Sequence, residues 1–158
     1  PVTDATPGSP PLPVRAGLLR RLGAMLYDSL LLLAVLMVAT ALFLPLTGGE
    51  AVDPGTHPVL ELGYRLVLLL LVVGFYGLFW TRRGQTLGMA SWRLRVERED
   101  GQRLTWVDTL RRLAWALVAL LPFGLGFAWI LFDPQRRAWH DRLSRTRVVV
   151  LGKKRRAG

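Results

Sequence analysis

The chain has 158 residues, enough for one domain, and 51% of them are hydrophobic. They gather in three blocks, roughly 22–46, 62–80 and 113–132, and the formal charge of +10 lies beside those blocks; this is the layout of a membrane protein and not of a nucleic-acid binder. The absence of cysteine excludes disulfides, thiolate catalysis and cysteine-based zinc sites, and the two histidines, His57 and His140, are too far apart in sequence to read as a metal cluster.

Residues 1–14 hold five prolines among small and polar residues, the composition of a disordered N-terminal arm. From Leu22 to Leu44 the only charge is Asp28, and at ~1.5 Å per residue this stretch spans about 34 Å, enough for a hydrocarbon core of about 30 Å. Pro45 and Thr47-Gly48-Gly49 stop it. A signal peptide cleaved after Ala39-Thr40-Ala41 fits less well, because the apolar stretch continues past that point and carries an aspartate. A carboxylate at the centre of an inserted helix costs roughly 2.5–3.5 kcal/mol, so Asp28 needs a compensating partner or a use.

The second block, Leu62–Trp80, carries Arg65 near its start, where the side chain can reach the interface or enter the bundle. Gly74 and Gly77 share a face that permits close approach of another helix. The polar linker from Arg82 to Arg112 contains eight arginines. Within it Trp92-Arg93-Leu94-Arg95-Val96 alternates, and Asp100-Gly101 is a turn signal before Arg103-Leu104-Thr105-Trp106, which predicts a short β-hairpin on the membrane surface. Thr105 is placed to cap a helix starting at Trp106.

The third block, 113–132, is broken by Pro122-Phe123-Gly124-Leu125-Gly126. Of 21 Lys and Arg, three precede the first span, eight lie in the linker and nine follow the third block. The positive-inside rule therefore puts both termini and the linker in the cytoplasm, which two full spans satisfy and a third would violate. A re-entrant or helical-hairpin segment at 113–132 is expected, buried against other helices or a second copy. Trp80, Trp92, Trp106 and Trp139 fall at block edges, as interfacial anchors do. The closing Lys153-Lys154-Arg155-Arg156 suits contact with anionic lipid.

Arg21 and Asp28 are seven residues apart and project from nearly the same helical face, about 10.5 Å apart along the axis, too far for a direct pair. Asp28 is then expected to meet Arg65, an arginine of the linker or tail, a cation or a proton. Asp141 is the natural carboxylate for Arg21. The three charges read either as a buried clamp or as an ion or proton site, with Tyr27 and Ser29 as oxygen neighbours of Asp28 and His140 as a proton relay near neutral pH.

These residues make the sequence recognisable. It resembles the RDD family of small bacterial membrane proteins over most of residues 15–150. The resemblance is carried by Arg21 with Asp28, by Gly84-Gln85-Thr86-Leu87-Gly88 leading into Trp92-Arg93-Leu94-Arg95-Val96, and by Trp139-His140-Asp141-Arg142-Leu143-Ser144-Arg145-Thr146-Arg147-Val148-Val149. It implies that the namesake residues are Arg21, Asp28 and Asp141, and that the protein is integral to the membrane, in a family often assigned to transport or to organising other membrane proteins. Two departures stand out: Met89 where many relatives have lysine, and Arg145 where they have glycine.

The expected fold is an all-α membrane protein, a helical bundle of two transmembrane spans (about 22–46 and 62–80) plus a broken or re-entrant third segment (about 113–132), with a small cytoplasmic β element. Residues 15–151 form the membrane domain, 1–14 the arm and 152–158 a basic tail. The expected location is the bacterial inner membrane. The expected function is a small cation or proton transport protein acting as a homo-oligomer through Arg21, Asp28 and Asp141. The alternative is a non-transporting scaffold or assembly factor, bound to a protein partner, in which the charges are a clamp. No nucleophile–base motif, metal cluster or phosphate loop points to an enzyme, a cofactor or nucleic acid.

Overall fold

A computed structural model of the chain describes residues 14, 16–49, 58–121 and 124–152. Most of the proline-rich arm, His57, Pro122-Phe123 and the Lys153–Arg156 cluster lie outside the described residues. Helix α1 runs Leu18–Phe43 and passes into a 3-10 turn, Leu44–Thr47. Pro45 has no amide hydrogen to continue the helical ladder, and Gly48 closes the turn at φ 70°, a conformation that suits glycine. Helix α2 spans Pro58–Arg82. Both helices exceed the apolar blocks at their polar ends, because charged termini reach beyond the hydrocarbon core while the backbone hydrogen bonding continues.

Both are long and apolar enough to cross a membrane, and only 6% of the most apolar window of each is buried inside the chain. Their outer faces are rows of exposed leucine and valine, which bilayer lipid or another protein must cover. Contact between them includes a 2.9 Å hydrogen bond between the Thr40 and Tyr64 hydroxyls and an edge-on stack of Phe43 on Tyr64.

After α2 come helix α3 (Leu87–Ser91), strand β1 (Leu94–Arg98) and helix α4 (Trp106–Leu120). Thr105 caps α4 with a reciprocal pair of bonds to Asp108, as its position predicts. At 15 residues α4 spans about 22 Å, short of a crossing. The following piece, α5 (Leu125–Ala128) with the 3-10 turn Trp129–Leu131, is inclined at 107° to it, so the third apolar block is bent. Gly126 lies flat on Ala119 of α4, where a Cβ would come within 2.6 Å of the Ala119 Cβ. Helix α6 (Trp139–Leu143) and strand β2 (Thr146–Val150) complete the fold.

The sheet corrects one expectation. β1 does not fold back on Arg103–Trp106; it pairs antiparallel with β2, in the register Leu94↔Val150, Val96↔Val148 and Arg98↔Thr146. Asp100-Gly101 does make the turn, with Gly101 at φ 84°, but one backbone bond later Leu104 enters the core and Thr105 is committed to capping α4. The β-branched residues that can extend a ladder are Val148–Val150.

The two strands belong to two similar units, each a five-residue helix, a two-residue link and a five-residue strand: α3–Trp92-Arg93–β1 and α6–Ser144-Arg145–β2. The second link residue is left-handed in both, Arg93 at φ 55° and Arg145 at φ 54°. This conformation suits glycine, the residue that the family resemblance leads one to expect at position 145. Val96 and Val148, equivalent in the two units, pair with one another, so the units are related by an approximate two-fold axis. The chain before α1 joins the outer side of β2, through Ala16 N–H to Val148 O (3.1 Å) and Val150 N–H to Val14 O (2.7 Å).

The compact core lies at this end of the two spans. Ala16, Ala24, Trp80, Leu94, Val96, Leu104 and Val148 are buried together, with Met89, the position of the departing lysine, among them. Trp92 covers Gly23 and Trp106 covers Gly77, where any Cβ would collide with the rings; a Cβ at Gly74 would meet no other element among the described residues within 4 Å. Trp92 and Trp106 are thus packed on helix faces as well as lying at block edges.

Candidate functional site

Asp141 is fully buried, with 0% exposure, in the first turn of α6. Its Oδ2 accepts from Arg21 Nη1 of α1 and from the Ala138 amide (3.2 Å), while Arg112 Nη1 of α4 lies 2.6 Å from Oδ1. Arg21 spends its other nitrogens on backbone carbonyls, Nη2 on Arg136 O (2.9 Å) and Nε on Ala16 O (3.3 Å). Arg112 also donates to the Thr146 hydroxyl of β2 and lies 5.2 Å from the Trp80 ring centre of α2. One carboxylate therefore joins α1, α4 and α6, and its two arginines extend the join to β2 and α2.

Burial alone would raise the Asp141 carboxyl, but Arg112 and Arg21, assisted by His140, outweigh it and hold the group below the usual carboxylate range. His140 Nε2 stands 3.4 Å from Asp141 Oδ1. Its own ionisation is pushed down to about 3, first by burial and then by Arg112 and Arg21, against the pull of Asp141. Burial and the two arginines thus favour the neutral imidazole at His140. Phe127 stacks on its ring at 4.6 Å.

Asp28 has different partners from those expected. Thr86 donates its hydroxyl to Oδ2, and the Gly88 amide donates to Oδ1 at 2.8 Å. Thr86 is the N-cap of α3 and accepts from the Met89 amide (3.2 Å), so Asp28 completes the cap of a helix 60 residues downstream. Gly88 has no room for a side chain: a Cβ would lie 2.3 Å from Ala24 O and 2.9 Å from Asp28 Cγ. The motif Gly84-Gln85-Thr86-Leu87-Gly88 thus acts as a cradle for the α1 carboxylate. Gly84, at φ 69°, accepts the Val96 amide at 2.7 Å and ties the same loop to β1.

Among the described residues Asp28 has no ion pair within 4 Å. Arg65 is 70% exposed and pairs with Glu61 one turn earlier on α2, so it does not meet Asp28. Tyr27 and Ser29 flank Asp28 in sequence but face outward from α1 and are exposed. The structure brings Arg21, Asp141 and His140 together, places Asp28 two turns along α1, and adds three groups that sequence reasoning missed as site members: Arg112, Thr86 and Gly88. Thr86 and Gly88 lie in a motif that the sequence singles out, but their contact with Asp28, like the choice of Arg112 among the linker arginines, is made by the tertiary structure.

A cavity of about 560 Å³ opens beside these groups. Arg21, Asp28, Arg112 and His140 lie on its wall at one end, and aliphatic side chains of α1, α2 and α4 form the rest. Among the described residues no group of three His, Asp or Glu is arranged to hold a metal ion.

Comparison with known proteins agrees with this architecture. An uncharacterized protein of Rickettsia prowazekii (strain Madrid E) is 30% identical over 81 residues, 51% of this chain, and the matched region spans 45% of that relative's own length. No solved structure matches. The model of the RDD family matches residues 15–145, which contain both arginines, both aspartates and the Thr86–Gly88 cradle, and the chain belongs to the RDD family.

Proposed function

We propose that this membrane protein is a non-transporting scaffold or assembly factor, in which Arg21, Asp28 and Asp141 clamp the helix ends and the small sheet into one body. The observation that carries this reading is that both carboxylates are already engaged by protein groups from other elements: Asp28 by Thr86 and Gly88, Asp141 by Arg21, Arg112 and Ala138. A buried carboxylate so bonded fixes geometry, and its removal leaves unpaired donors. The exposed apolar faces of α1 and α2 are where a partner protein or a second copy would lie.

On this reading residues 15–151 are the folded membrane unit, with 1–14 as a tether and 152–158 as a basic tail held by anionic lipid. The site is the inner membrane, with both termini and the sheet on the cytoplasmic side, because the arginines surround the sheet end. The second reading, a cation or proton transport protein, is favoured by one observation: Asp28 lies on the wall of the cavity. With so few crossing segments a pathway would then require a homo-oligomer. Asp28→Asn separates the two. The amide keeps the shape and can bond Gly88 and Thr86, so the variant folds, and its Na⁺, K⁺ and H⁺ flux in proteoliposomes is compared with that of the wild type.

A further inference from the structure

The cavity has a definite depth. Its wall runs from Arg21 to Leu32 on α1 and from Trp80 back to Leu69 on α2, a rise of eleven residue steps along each helix. At ~1.5 Å per residue this is about 16 Å, roughly half of a hydrocarbon core of about 30 Å. The slot is therefore one leaflet deep. Its volume of about 560 Å³ lies within the range of ligand pockets, about 300–1,000 Å³.

Its two ends differ in chemistry. The deep end is aliphatic, with Leu32, Leu69, Val73 and Leu117. At the other end two guanidinium groups share one carboxylate, Asp141, while Asp28 spends both oxygens on Thr86 and Gly88. Arg21 has all three nitrogens engaged. Arg112, 5% exposed, commits Nη1 to Asp141 and Thr146, and its buried Nε donates to none of the described residues. An arginine buried with a spare donor is costly unless an acceptor meets it, and its planar fork suits phosphate oxygens.

We infer that the slot holds one acyl chain of a bilayer phospholipid, whose phosphate accepts from Arg112. Arg21 and Trp80 stand at the polar ends of the two spans, the depth at which a lipid phosphate lies. Any soluble anion would lack the apolar body that the slot accommodates, and a lipid without a phosphate, such as a diacylglycerol, would leave the Arg112 Nε without an acceptor.

The test uses the full chain, purified in detergent, stripped of lipid and titrated with phosphatidylglycerol or diacylglycerol of the same acyl composition, with bound lipid counted by native mass spectrometry. One phosphatidylglycerol per chain is expected, retained about tenfold more tightly than diacylglycerol, a difference of about 1.4 kcal/mol. Ala116→Trp, in the slot wall, lowers that retention by a similar factor, whereas Leu26→Trp on the outer face of α1 leaves it unchanged. Equal retention of the two lipids, or undiminished retention by folded Ala116→Trp, overturns the inference. So does oleate that displaces phosphatidylglycerol at equal concentration, since the occupant would then be a free carboxylate.

Discussion

Asp141 and His140 sit side by side in α6, and the same two arginines act on both with opposite sense. They keep the carboxyl charged and they keep the imidazole neutral. In the unfolded chain the histidine takes up a proton below about pH 6.5, whereas in the folded protein it stays neutral down to about 3. Between those values the unfolded state binds more protons, so stability is full above about pH 6.5 and falls as the pH is lowered through that window. Asp141 adds a second loss below about pH 4, where the unfolded carboxylate protonates first. Thermal melting of the solubilised protein should fall with acidification from pH 7 to 4, and His140→Asn should flatten that dependence; an unchanged slope would contradict the assignment. Arg21 and Asp141 could be named as a pair from sequence because Arg21 heads an apolar span and Asp141 is the one carboxylate in the closing motif Trp139–Val149. Arg112 could not, since it is one of eight arginines in a linker and only the tertiary structure selects it.

The elements around the cradle are joined by close approach as much as by charge. α3 is only five residues long and would not persist alone; Thr86, Asp28 and the contact of Gly88 with the Ala24 carbonyl hold it on α1. Gly88→Ala forces the two helices apart, with an expected cost of about 1–3 kcal/mol, to be read from melting together with faster proteolysis of the 83–105 linker. A variant as stable as the wild type would mean that α3 is not clamped there. Helix existence and the Thr105 cap were legible in sequence, since hydrophobic runs and capping residues are local signals. The β1–β2 pairing was not: the turn at Asp100-Gly101 is real, but the strand's partner lies 50 residues away, and no local pattern encodes that choice. The cradle of Asp28 by Thr86 and Gly88, about 60 residues apart in sequence, was hidden for the same reason.

At the scale of the molecule, two apolar spans carry on one end a small, tightly bonded body containing the family's charges, and the third apolar segment bends beside it. The long spans and the bent segment follow from block lengths and the Pro-Phe-Gly break. The arginine count is the basis for the proposed cytoplasmic placement of the sheet, and the cysteine-free chain makes that placement accessible to single-cysteine labelling. An impermeant maleimide added to intact cells should label Leu46→Cys, at the turn after α1, and leave Ser91→Cys, beside the sheet, unlabelled until the cells are opened; the reverse pattern would invert the topology. The most direct test of the clamp is ion flux in sealed proteoliposomes containing wild type or folded Asp28→Asn. The account predicts no Na⁺, K⁺ or H⁺ flux above empty liposomes for either protein, with the substitution expressed only as a modest loss of stability, about 1–2 kcal/mol. Flux present in the wild type and absent from the folded variant would contradict it and make Asp28 a transport residue.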